Sequence, residues 1–185
     1  MEEAALALIA EVGPRGFSLA EATRRAGVSV AAPYKHYADR DALLAALALR
    51  CYAEQLRRFE AAIATAADPV EQLASFASAY VQFAFDERAL FQVTFAAGLD
   101  KSAYPELTVA GEAVLDVLRA LAAKLRQAPD EALDLALTVA AAAHGLSVFL
   151  LEDVFGDPPA ALGATRERAA SIARALARAE TALSS

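Results

Sequence analysis

Thiol and imidazole side chains, which ligate zinc or crosslink a chain, are scarce in this sequence. Its 185 residues include one cysteine, two histidines and no tryptophan. A lone cysteine cannot close an internal disulfide, and Cys51 sits in an apolar helical pattern, where it reads as a small buried hydrophobe. Two histidines without a His-Glu-x-x-His or Cys-x-x-Cys spacing leave no metal site. No glycine loop has the spacing that cradles a phosphate. No catalytic constellation is left: Asp130/Asp134 and Glu152/Asp153 are acidic neighbours, more simply solvated helix faces or caps than acid–base pairs. A cryptic active site around His144 is the remaining enzymatic reading, and no cofactor is implied.

Other absences concern targeting. Met1-Glu2-Glu3 carries no basic region, so no signal peptide is expected. The most apolar run, 135–151, contains Thr138, His144, Gly145 and Ser147 and falls short of the roughly 20 residues of a membrane span. A helix buried on both sides inside a protein fits it better. The expectation is a cytoplasmic protein with no membrane partner.

What is present favours an all-α fold. Alanine dominates, only eight glycines and seven prolines occur, and the prolines cluster at a few breaks. With 57% hydrophobic residues a sizeable core is expected and disorder is not. Apolar periodicity predicts about nine helices. The first spans 2–12, with Leu6, Ile9 and Val12 inward, and Gly13-Pro14-Arg15-Gly16 ends it. Phe17 anchors a small N-terminal core. The fourth helix, 40–66, carries the stripe Leu44, Leu47, Cys51, Leu56, Phe59 and Ile63. Its length, about 39 Å at 1.5 Å per residue, can link a head to a body. Helices at 69–85, 89–95, 106–127, 130–154 and 164–183 follow, the last two separated by Phe155-Gly156-Asp157-Pro158-Pro159.

The most informative stretch is 18–37. Ser18 followed by Glu21 reads as a capping box. Leu19, Ala22 and Ala26 share a face, and Arg24 and Arg25 close the helix with charges that suit its dipole. Gly27 supplies the positive φ of a sharp turn, Val28 plugs it, and Ser29 caps the next short helix. Two short helices around a glycine turn are a helix-turn-helix, whose second helix enters a DNA major groove. Asp39 caps the helix that follows.

Several ordered pieces carry a further resemblance: Ala5 to Gly13, Phe17-Ser18-Leu19, Ala26-Gly27-Val28-Ser29, Tyr34-Lys35-His36-Tyr37 and Asp39-Arg40-Asp41-Ala42-Leu43-Leu44. Together they resemble the DNA-binding domain of the TetR/AcrR family of bacterial transcriptional regulators. The stretch Tyr80 to Phe95, with His144-Gly145-Leu146, resembles the WHG-type C-terminal domain of that family, although no tryptophan is present and Ala140 or Ala141 stands near its place. The resemblance implies a helix-turn-helix domain over 1–45 and a helical effector-binding and dimerisation domain over 46–185. It implies base contact by Val30, Ala31 and Ala32, whose small groups can touch thymine methyls but cannot make bidentate hydrogen bonds. Sequence reading then leans on Tyr34, Lys35 and His36 and on DNA shape. Lys35 is the leading phosphate or guanine contact. Tyr34 and Tyr37 can each donate to a phosphate; His36 has a second reading as a packing or capping residue, and Tyr37 as domain core. Arg40 and Ser18 match places that meet phosphate, with Ser18 also a cap.

For the body, the resemblance implies a small-molecule effector among the central helices, with Phe76, Tyr80, Phe83, Phe91, Phe95, Tyr104, His144 and Phe149 as candidates. Aromatic stripes at this spacing also make plain core. His144, once buried, needs a hydrogen-bond partner such as Tyr80. The two last helices are the expected homodimer surface, because reading paired half-sites of a DNA operator requires a two-fold axis.

Charge fits this division. Residues 1–50 carry six basic and six acidic side chains, and residues 51–185 carry eleven and eighteen. The expected footprint is therefore basic on a body that repels DNA elsewhere. Family members usually carry a basic arm before the first helix, whereas this chain opens on two glutamates; either the arm is absent or the true start lies upstream. A small-molecule-binding helical protein that has lost specific DNA binding is the competing reading.

Overall fold

A computed structural model describes residues 1–27, 36–100 and 102–179. Among them every regular element is helical: α1 Glu2–Gly16, α2 Leu19–Arg25, α3 Arg40–Ile63, α4 Pro69–Asp86, α5 Arg88–Ala96, α6 Pro105–Ala122, α7 Pro129–Leu151 and α8 Pro158–Arg178. They form two compact units, 1–54 with 87–111 and 55–86 with 112–185.

In the first unit, α1 packs against α2 and α5. Ala5, Leu8 and Ile9 are buried at helical spacing before Gly13, and Pro14 after it, joined in the core by Phe17, Leu19, Ala22, Leu43, Leu44 and Leu47. Val12 is instead 48% exposed. It is the last residue before Gly13, whose φ of 72° breaks the helix before one further turn through Pro14. Phe17 is buried, and Gly27 has the left-handed backbone that the turn needs, φ 66°. Asp39 caps α3, its Oδ1 accepting the Ala42 N–H at 2.8 Å. Cys51 is fully buried, and burial pushes its thiol up to about 12.

In the second unit, α4 packs against both α7 and α8, which also pack together. Asp68 caps α4 by accepting the Glu71 N–H. α8 starts at Pro158, earlier than the predicted 164, because the two prolines occupy its first positions rather than breaking the chain. Its far end is fastened by Arg126, whose guanidinium donates to the carbonyls of Leu176, Ala177 and Ala179 at 2.9, 3.1 and 2.7 Å. α7 departs from expectation more sharply. By length and composition alone it is long and apolar enough to cross a membrane, yet only 33% of its most apolar window is buried. Leu133, Leu137 and Phe149 remain exposed, so this helix is not buried on both sides within its own unit.

Candidate DNA-reading head and effector pocket

Val30, Ala31, Ala32, Tyr34 and Lys35 lie outside the described residues. The remaining candidates of the head show what holds it. Ser18 is exposed at the start of α2 and makes no side-chain cap bond. Its expected capping partner, Glu21, turns to the other end of the helix. It accepts from Arg24 at 2.8 and 2.7 Å and from Arg25 at 3.0 Å, and these arginines hold its carboxyl down at about 2. Arg25 also reaches Glu11 at 2.7 Å. The capping box is thus replaced by an ion-paired cluster, because two guanidiniums outcompete one backbone N–H for the carboxylate.

Arg40 points back into the unit. It donates to the Pro14 carbonyl at 2.7 Å, to the Phe17 carbonyl at 3.2 Å and to Asp41. That clamps the start of α3 onto the turn after α1. Tyr37 is half-buried, and its hydroxyl donates to Glu2 at 2.8 Å. Burial, then the Glu2 carboxylate, pushes the phenol up to about 12. His36 is exposed, with its ring centroid 6.5 Å from that of Tyr37.

The effector candidates fall into two groups. In the second unit Phe76, Tyr80 and Phe83 on α4 are buried and gather around Phe59 of α3. Phe59 meets Phe76 edge-on at 4.7 Å, stacks on Tyr80 at 5.5 Å and meets Phe83 at 6.1 Å. His144 joins this cluster: its Nδ1 lies 3.0 Å from the Tyr80 hydroxyl, with the rings edge-to-face. Desolvation lowers the imidazole's pKa, so the neutral ring is favoured beside the phenol. Phe149 is 50% exposed and packs on Phe155 at 5.8 Å. A helix with apolar residues on every side gives little phase from which its outward side could be read.

In the first unit Phe91 is buried and touches Phe95 at 4.9 Å, while Phe95 is 44% exposed and Tyr104 half-exposed. Burial, first, and the carboxylates of Asp39, Asp41 and Glu106 raise the Tyr104 phenol pKa.

Two polar groups escape a sequence reading. Gln55, 1% exposed, keeps a buried Nε2 with no hydrogen-bond partner among the described residues, and Gln92 keeps a buried Oε1 in the same condition. A buried amide left unsatisfied costs about 1–3 kcal/mol, so each is a place where a polar ligand atom or water would be welcomed. Gln55 lies one turn from both Cys51 and Phe59. Its i, i+4 position places it on the buried face of α3, which a stripe through Leu56 does not reveal. Among the described residues no group of three or more His, Cys, Asp or Glu side chains could hold a metal.

Residues 3–47 match the family model for bacterial regulatory proteins of the tetR family, and residues 73–179 match that for the tetracyclin repressor-like C-terminal domain. No curated protein matches. Among solved structures, a protein of unknown function from Rhodococcus sp. RHA1 is similar with a TM-score of 0.75 and 28% identity, over 94% of this chain and 91% of that one. The TetR family regulator PfmR from Thermus thermophilus has a TM-score of 0.70 and 21% identity, over 95% and 93%. FadR from Bacillus subtilis, in complex with stearoyl-CoA, has 0.73 and 18%, over 92% and 96%. These likenesses show the fold: an N-terminal helix-turn-helix followed by a helical C-terminal domain. With a head model and a body model matched in order along one chain, the protein belongs to the TetR family of transcriptional regulators.

Proposed function

We propose that the protein is a homodimeric repressor that binds a palindromic operator through residues 1–45 and is released by a small organic effector held in residues 46–185. The observation that carries this reading is a regulator's head joined to a body whose buried aromatic cluster contains a polar pair, Tyr80 and His144. A plain core would be apolar there; a phenol and a neutral imidazole side by side can orient a ligand's polar group. Tyr80, Phe76, Phe83 and His144, all of the second unit, are the effector contacts in this reading. FadR, captured with stearoyl-CoA, supports a small-molecule effector as a class. Lys35 leads the DNA contacts, supported by Tyr34, His36 and the small face Val30-Ala31-Ala32. Arg40 acts as the clamp of the head.

The exposed Leu133, Leu137 and Phe149 support a partner chain on α7. A Cβ added at Gly145 or Gly163 would meet nothing within 4 Å, so neither glycine is needed for packing within one chain, and both leave room for a second copy. Two heads must stand about 34–36 Å apart to enter successive major grooves. An effector that prefers another spacing weakens DNA binding by its differential affinity for the two states.

The test is fluorescence anisotropy with DNA from around the protein's own gene at two salt concentrations. Salt-sensitive binding to one near-palindromic segment is expected, weakened at least about fivefold by Lys35→Ala in a protein that still folds. Weak binding, equal on every sequence, would overturn the repressor reading and leave a small-molecule-binding helical protein without specific DNA recognition.

A further inference from the structure

The second unit carries a cleft of about 440 Å³ on the side of α4 that faces α8 and the end of α3. It is unlike the rest of that unit. Residues 51–185 are strongly acidic, yet the cleft is lined by three arginines, Arg58, Arg166 and Arg174, against one carboxylate, Glu167. Its remaining polar lining is dominated by hydrogen-bonding neutral groups, including Ser75, Ser78 and Gln82.

The arginines are not equivalent. Arg58 is held by Asp86 at 2.9 Å and lies over the Phe83 ring at 5.6 Å. Asp86 is fixed in turn by Gln82 at 2.8 Å. Arg174 is held by Glu71 at 3.0 and 3.1 Å and by Glu167 at 3.0 Å. Each of these guanidiniums is thus set in place by a carboxylate. Arg166 is not: among the described residues its partner is the Ser78 hydroxyl at 3.3 Å, and no carboxylate lies within ion-pairing distance. A guanidinium that lines a cleft without an ion-paired carboxylate, alongside two carboxylate-bound arginines, keeps N–H donors for an anion's oxygens.

We propose that this cleft is a binding site for a small oxyanion, a carboxylate or phosphate group, taken by Arg166 together with the Ser78 hydroxyl and flanked by Arg58 and Arg174. It is separate in its chemistry from the aromatic cluster around Tyr80, since it is open and lined by three guanidiniums. The planar fork of Arg166 matches two oxygens of either group. Ser78 would give up its contact with Arg166 Nε and donate its hydroxyl to the anion. The restraints on Arg58 and Arg174 leave little side-chain entropy to be lost on binding. Phe83 lies beneath Arg58 and also touches Phe59, so the floor of the cleft is one ring of the aromatic cluster.

The probes are inorganic phosphate and citrate, titrated into the full chain at constant ionic strength with sodium chloride as balance and followed by amide chemical shifts. Saturable shifts at Ser78, Gln82 and Arg166 are expected with at least one probe, and which probe acts distinguishes phosphate from carboxylate recognition. Arg166→Gln should weaken that binding at least about fivefold, while Arg168→Gln on the same helix should bind as the unaltered chain does. Absence of saturable shifts with both probes would overturn the proposal. Shifts of equal midpoint in Arg166→Gln would do so as well, and because Arg166 is exposed that variant is expected to keep its fold.

Discussion

Both compact units have apolar cores and long-range polar ties, but they differ in what is most prominent in each. The first joins distant parts of its chain through polar ties. Tyr37 donates to Glu2, Arg50 reaches Glu3 at 2.6 Å, Arg25 reaches Glu11, and Arg40 clamps two carbonyls. The second closes around rings, with Phe59 touching Phe76, Tyr80 and Phe83. The difference teaches where each unit is vulnerable. Aromatic packing fails when one large side chain is removed, since the cavity remains. Polar ties share the load and are individually modest.

The largest effect should come from the centre of the ring cluster. Phe59→Ala is expected to destabilise the protein by about 3–5 kcal/mol in urea unfolding followed by circular dichroism. A loss below about 1 kcal/mol would show that the rings are not what closes the second unit.

An intermediate effect is expected in the head. Arg40→Ala removes charge-assisted bonds to the Pro14 and Phe17 carbonyls and should cost about 1.5–3 kcal/mol. Hydrogen exchange should quicken in α1 and α2 before it does in α4. Uniform loss of protection would erase the distinction between a polar-tied head and a ring-packed body.

The smallest effect is a slope. The folded-state pKa of His144 is lowered by burial, so the unfolded chain takes up that proton first as the solution is acidified. Its contribution to stability is present above the ordinary imidazole value of 6.5 and is lost as pH falls below it. His144→Asn should flatten the pH dependence of the melting temperature in that window. An unchanged slope would assign the acid sensitivity to other groups.

Local chemistry was legible in the sequence. Gly13, Gly27, Phe17 and Asp39 each do what their residue type dictates: break a helix, turn the chain, fill a small core, cap an N-terminus. So is the pairing of His144 with Tyr80, because a part-buried imidazole favours a hydrogen-bond partner and Tyr80 lies on the buried face of α4. What stayed hidden depended on distance along the chain or on degeneracy of pattern. Arg40's acceptors lie 26 and 23 residues away, and no spacing rule announces them. Glu21 had three possible partners nearby, and only the folded geometry ranks them. Pro158-Pro159 reads equally as the stop of one helix or the start of the next. The faces of α7 could not be told apart because apolar residues occur all around it. Residues 87–111 join the first unit although nothing in their composition separates them from their neighbours.

Cys51 has a practical consequence. With its thiol buried and its pKa raised to about 12, it stays protonated at neutral pH. Maleimide reagents will pass it by. A cysteine introduced at an exposed place on α2, as in Ala20→Cys, becomes the one reactive handle in an otherwise unaltered chain. Spin labels attached there would report the distance between the two heads of the proposed dimer directly, with and without a candidate effector, and no native residue need be removed to make the reading clean.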